Sequence, residues 1–154
     1  MTALPSRIPL SLALTALLAA SPVMATENWV TTWMASPQPT WGNELPLPTR
    51  IPQALADSTI HQTVRISSGG SRIRVVVSNE YGRQPLVIGA ARVAFIEGID
   101  HIRAGSGHSL TFSDQEQVSI AAGETRISDP IDLAVPALSA VSYTHLTLPT
   151  NREV

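Results

Sequence analysis

The stretch Thr59 to Ser78, TIHQTVRISSGGSRIRVVVS, decides the fold. In its first half Ile60, Val64 and Ile66 alternate with His61, Thr63 and Arg65, and only polar Gln62 interrupts the apolar side. A period of two belongs to a strand, whose successive side chains point to opposite faces of a sheet. Arg72 to Ser78 repeats the pattern, with Ile73, Val75 and Val77 on one side and Arg72 and Arg74 on the other. Val76 breaks that polar side, which predicts a strand covered on both faces near its end. Ser68-Gly69-Gly70 supplies the permissive backbone of a hairpin turn. The two strands are therefore expected to pair, and Arg65, Arg72 and Arg74 to line one wet face across the hairpin.

Outward from this stretch the strand signals continue. Asn79-Glu80-Tyr81-Gly82 reads as a turn. Leu86 to Ile88 and Ala91 to Phe95 read as strands separated by Gly89, and a Gly-rich excursion follows (Gly98, Gly105, Gly107). Ser109 to Phe112, Gln117 to Ile120, Thr125 to Ser128 and Ile131 to Val135 are short strands, with Ala122-Gly123 and Pro130 as punctuation. Upstream, Trp29 to Gln38 predicts an entry strand, and Pro37 to Pro52 a Pro-rich crossing segment. No segment after the first 25 residues has a convincing helical period; Pro52 to Asp57 is the best candidate, at one or two turns. Many short strands with closely spaced turns predict an all-β domain of the β-sandwich or jelly-roll kind.

Composition agrees with a folded domain. The chain has 154 residues, 44% hydrophobic and 14% charged, which suits one globular unit. A net charge of −2 argues against a nucleic-acid partner, which would favour a basic face. There is no cysteine, so disulfides and thiolate metal sites are excluded. All ten basic residues are arginine, a bias with no mechanistic reading. Residues 1–25 read as a secretory signal: Arg7 forms the positive start, Ile8 to Ala20 the apolar run, and Val23-Met24-Ala25 the cleavage site. The apolar run is short for a membrane span, so the expected product is cut after Ala25, carries no transmembrane segment and is secreted or periplasmic in a bacterium.

The search for chemistry yields no catalytic, cofactor-binding or metal-binding residue. There is no Gly-x-Ser-x-Gly turn to hold a serine nucleophile, and Asp57-Ser58 reads as punctuation before a strand. His61 lies on the polar face of a strand with no carboxylate assigned to orient it, so a solvent-facing histidine is expected. Asp100 and His101 are adjacent, so on extended backbone their side chains diverge. His108 lacks partners at a recognisable metal spacing, and Gly105-Ser106-Gly107 is followed by no helix that could receive a phosphate, which leaves a flexible loop. Trp29, Trp33 and Trp41 would form a sugar-stacking platform if exposed; burial is the expectation for side chains of this size.

A family resemblance contributes more. Trp29-Val30-Thr31-Thr32-Trp33-Met34-Ala35-Ser36-Pro37-Gln38 resembles the entry motif of a group of secreted SGNH/GDSL hydrolases. Ser58 to Arg65, Ile73 to Gly82, Pro85 to Ala94, Leu110-Thr111-Phe112 and Val118 to Leu133 with Ser128-Asp129-Pro130 are similar to the same group. The likeness runs over nearly all of Trp29 to Ala140. It implies that residues 26–140 are an N-terminal β-sandwich accessory domain, incomplete at its C-terminal end. In that group an α/β domain follows, with a Gly-Asp-Ser nucleophile block, oxyanion donors from Gly and Asn, and an Asp-x-x-His pair. None of those blocks is present here, so no catalytic residue carries over. The resemblance implies an ester-hydrolase parent, with carbohydrate or lipid esters as substrates and the absent catalytic domain as partner. A stand-alone carbohydrate-binding or adhesion module is the alternative, and it rests on the tryptophans.

The likeness stops at Ala140. Val141 to Thr150, VSYTHLTLPT, back-translates with ordinary codons into DNA resembling the transposase adapter of short-read sequencing libraries. Residues 141–154 are therefore expected to be adapter-derived. Tyr143, Leu146 and Leu148 are apolar enough to lie along a sheet edge, where a further strand of the parent would belong.

Overall fold

A computed structural model describes residues 27–39, 55, 57–98 and 101–149. Ten strands are present in them: β1 (Ser58–Arg65), β2 (Gly70–Ile73), β3 (Val76–Ser78), β4 (Leu86–Glu97), β5 (His101–Ile102), β6 (His108–Leu110), β7 (Val118–Ile120), β8 (Thr125–Ile127), β9 (Ile131–Val135) and β10 (Ala140–Leu148). All pairings are antiparallel, and no helix occurs among the described residues. The chain is all-β, as the alternation predicts. Contacts divide the chain between Val30 and Thr31. In the first unit Trp29 is half-buried and Val30 exposed; the sheets belong to the second.

The main sheet runs β1-β10-β4. β4 is its organising strand. One edge pairs with β10 from Val141↔Phe95 to Leu148↔Val87, with a register shift between Leu146 and Thr147. Its other edge takes three short strands in turn: β7 at Leu86–Ile88, β6 at Ala91–Val93 and β5 at Ile96–Glu97. Gly89 does not divide β4, contrary to the expectation. A Cβ there would lie 2.8 Å from the Leu148 side chain, so this glycine marks a close approach between strands rather than a break.

β2 with β9 and β3 with β8 form two separate two-stranded sheets that together make a ribbon, so the single strand expected over Arg72 to Ser78 is broken at residues 74–75. The interruption has a local cause. Pro130 has no N–H to contribute to a ladder. Val75 N–H turns instead to the Ser128 hydroxyl at 2.9 Å, while Ser128 N–H reaches the Val75 carbonyl at 2.8 Å. The ribbon's Leu133 and Val135 are buried in one cluster with Ile88, Ala91, Val93, Leu110, Ile120 and Val141 of the main sheet and Phe112 of the loop after β6, and Ile73, Val75, Val77 and Ile131 pack against it. Ile73, Val75 and Val77 thus face inward as their alternation predicts. Val76 does not: it is 59% exposed and pairs with Ile127, itself 50% exposed, so the strand is covered on one face only.

Four further expectations are corrected. The stretch Thr59 to Ser78 is not a hairpin, because β1 pairs with β10 and β2 with β9. Ser68-Gly69-Gly70 crosses between layers: Ile66 N–H bonds the Ser139 carbonyl at 3.1 Å and Ser67 N–H the Thr32 carbonyl at 3.0 Å. Alternation identifies a strand but not its partner. Arg65 consequently does not share a face with Arg72; it donates to the Leu138 carbonyl at 2.6 Å, whereas Arg72 pairs with Asp132 at 2.9 Å. Trp29 to Gln38 forms no strand; Thr32 is tied to Ser67 and Ser68 by hydrogen bonds instead. Finally, β10 is not at an edge. It lies between β1 and β4 with both backbone edges paired, which satisfies its polar groups better than an edge would. Residues 1–25, Trp41 and most of the Pro-rich crossing lie outside the described residues, as does most of Pro52 to Asp57; of that last segment Asp57 is in a turn at φ 50°.

Asp129 fastens the ribbon to the loop after β6. Its carboxylate accepts the Thr111 hydroxyl at 2.7 Å, Asp114 N–H at 2.8 Å and Ser113 N–H at 3.1 Å, and its own N–H bonds the Thr111 carbonyl at 2.8 Å. The bond from Thr111, then that from Asp114, holds its carboxyl below the usual range. A carboxylate with a depressed folded pKa adds stability above its unfolded pKa, and that stability is lost as pH falls through the folded value. Asp129→Asn should therefore lower the melting temperature at neutral pH. It should also flatten the fall in melting temperature seen on acidification below about pH 4, measured by circular dichroism. Parallel acid profiles for both chains would contradict this.

Candidate functional site

The histidines singled out in the sequence lie on three separate strands, His61 on β1, His101 on β5 and His108 on β6, while Asp100 lies outside the described residues. His61 stands exposed on β1, with Nδ1 2.9 Å from Thr144 Oγ1 and 3.4 Å from Ser142 Oγ. The register sets this arrangement, since His61 is opposite Thr144 and Thr63 opposite Ser142. A serine beside a histidine suggests a nucleophile and its base, but the geometry opposes it. Ser142 is 1% exposed, so no substrate can reach its hydroxyl. Thr144 holds the closer bond to the ring, and no carboxylate is among His61's hydrogen-bonding partners. Ser58, suggested by its Asp57 neighbour, is at the start of β1, where its N–H bonds Thr147 Oγ1 at 3.1 Å.

His101 is exposed in β5, and His108 is half-buried in β6 opposite Val93. Among the described residues no three His, Asp or Glu side chains are grouped to hold a metal ion. The Gly105-Ser106-Gly107 turn is pinned: Ser106 Oγ donates to the Arg103 carbonyl at 2.7 Å and accepts from Phe95 N–H at 3.1 Å. It connects β5 to β6 and is tied to β4 through Ser106.

Two features were not read from the sequence. The first is a small cavity of about 240 Å³ lined by Phe95, Ile96, Arg103, Ala134, Pro136, Ser139 and Ala140. The Arg103 guanidinium lies 5.4 Å from the centre of the Phe95 ring, a cation–π distance. The cavity falls below the ~300 Å³ at which ligand pockets usually begin. The only sequence signal for it was an arginine inside a Gly-rich excursion.

The second is a polar row in β10. Tyr143 and His145 face the same side as Val141, and their rings are 5.2 Å apart. Neither Tyr143 Oη nor His145 Nδ1 has a hydrogen-bond partner. Burial pushes the tyrosine up to about 12 and the histidine below its ordinary value. A buried, unpaired polar atom is a cost of roughly 1–3 kcal/mol, so this row strains the sheet rather than serving it.

Trp33 is 47% exposed and Met34 is exposed beside it, so the expected burial does not hold at Trp33. No family model matches the chain, and no curated protein matches it.

Proposed function

We propose that residues 26–140 are the N-terminal β-sandwich accessory domain of a secreted or periplasmic SGNH/GDSL-type ester hydrolase. The observation that carries this is the resemblance distributed over Trp29 to Ala140, above all Trp29 to Gln38, Ser58 to Arg65 and Ile73 to Gly82. An all-strand chain with antiparallel sheets is compatible with it. In this reading residues 1–25 are the export signal and residues 141–154 are adapter-derived. Catalysis belongs to the α/β domain of the parent, on carbohydrate or lipid esters, and the sandwich packs against that domain or positions polymer for it. The exposed Trp33 favours a second reading, a carbohydrate-binding or adhesion module.

Paired assays on the purified chain discriminate these. Under the first reading p-nitrophenyl acetate is turned over no faster than by the denatured chain, since no nucleophile, base and oxyanion donor are assembled among the described residues. A sugar array shows no binding under that reading. Turnover well above the denatured control defeats it. Sugar binding that is lost in a folded Trp33→Ala variant selects the second.

A further inference from the structure

We propose that two copies of this chain exchange β10, each seating its strand between β1 and β4 of the other. This inference concerns the chain as it stands and is independent of the hydrolase reading. β10 makes its ladders with strands remote in sequence: eight registered pairs with β1 and eight with β4. It makes none with β9, which precedes it but pairs with β2. Every strand-to-strand contact of β10 can therefore be reproduced by a second copy without change. The slot is also selective. Leu148 passes over Gly89, where any Cβ would meet it at 2.8 Å, and Val141 is buried opposite Phe95. The β10 of another copy fulfils those demands.

The link from β9 to β10 is suited to opening. It comprises Pro136 to Ser139. Leu138 there has φ 61°, a left-handed conformation disfavoured for a residue with a side chain, and the residue is 64% exposed. The turn is closed at the Pro136 carbonyl, which accepts Ser139 N–H at 3.4 Å and the Ser139 hydroxyl at 2.7 Å. Extending the link releases Leu138 into ordinary backbone, and Pro136 is compatible with that extension. Short hinges under strain favour exchange between protomers. The clasps opposing it are the bonds from Arg65 to the Leu138 carbonyl, from Ile66 N–H to the Ser139 carbonyl and from the Ser139 hydroxyl to the Pro136 carbonyl.

The test uses two full-length single-cysteine variants, Thr63→Cys and Ser142→Cys, carrying different tags. The parent chain has no cysteine, and these positions face each other across β1 and β10. The variants are mixed, unfolded, refolded together and oxidised. Exchange predicts a disulfide-linked heterodimer at least fivefold in excess of either homodimer. It also predicts that Leu138→Gly, added to both variants, lowers that excess at least threefold. Folding is verified by the β-sheet circular dichroism of each variant. Should either misfold, Thr59→Cys with Leu146→Cys, also facing partners and both exposed, gives the same readout. A statistical mixture of disulfides from folded variants of either pair overturns the proposal.

Discussion

Tyr143→Pro should abolish the cooperative unfolding transition of the chain. Tyr143 sits at the middle of β10, opposite Gln62 on β1 and Val93 on β4. Proline cannot donate to either ladder, and its ring is tolerated only where a strand has a free edge or a bulge. β10 has neither at this point, since its register shift falls at Leu146 and Thr147. Among the described residues β1 has no strand partner other than β10, so the loss propagates to β1. A proline in the middle of a sheet removes a ladder hydrogen bond and is found essentially only at edges or bulges, and the loss acts on the roughly 5–15 kcal/mol that holds a domain folded. The conservative control is Tyr143→Phe. It deletes the unpaired hydroxyl and keeps the ring, so its melting temperature should equal or exceed that of the parent. A cooperative transition retained in the proline variant, or a lower melting temperature in Tyr143→Phe, would place β10 outside the centre of the sheet.

Ile88→Ala should destabilise by about 2–5 kcal/mol, the range for removing most of a buried aliphatic side chain. Ile88 is fully buried in β4, opposite Thr147 of β10 and Val118 of β7. Backbone pairing on both sides leaves little freedom for the surroundings to collapse into the vacated space. Ile127→Ala is the comparison. Ile127 is a similar side chain on the ribbon's outer face, half exposed, and truncation there should cost within about 0.5 kcal/mol. Urea titration of both variants measures the contrast. Equal losses would mean that the core does not lie where β4 meets β6, β7 and β9.

What the sequence disclosed and what it withheld divide along a physical line. Local alternation named the strands at Thr59, Arg72, Leu86 and Ile131, because the pleat imposes a period of two wherever one face is buried. The inward set Ile73, Val75 and Val77 follows from the same rule. Pairing did not follow. Ser68-Gly69-Gly70 looks like a hairpin turn, yet its glycine serves packing. A Cβ on Gly69 would lie 2.6 Å from the Val135 carbonyl oxygen and 2.7 Å from Ala137 N. Contacts of that kind arise only once distant segments meet, and no local pattern announces them. Val76 misled for a related reason: a valine on the outer face is recognisable as exposed only when the covering layer is known to be absent there.

The candidate chemistry was legible mainly as isolated groups. The residue types offered no nucleophile and base set, and the fold leaves His101 and His108 on separate strands. The contact between His61 and Ser142 could not be read, because it depends on β10 lying beside β1. The same insertion carries Tyr143 and His145 inward without partners.

The pH dependence of stability carries a mark of that strand as well. His145 is held below its ordinary pKa by burial. The unfolded chain therefore takes up the proton first, and stability falls as pH drops through about 6.5, the unfolded value. His145→Leu should remove this component while leaving the loss below pH 4 in place.

The most direct test of the hydrolase-domain reading is the sequence of the genomic DNA that follows the codon of Ala140. The expected result is an open frame that departs from Val141-Ser142-Tyr143, encodes a further strand and then reaches a Gly-Asp-Ser block. A gene that encodes Val141 to Val154 as they stand and then stops would contradict it.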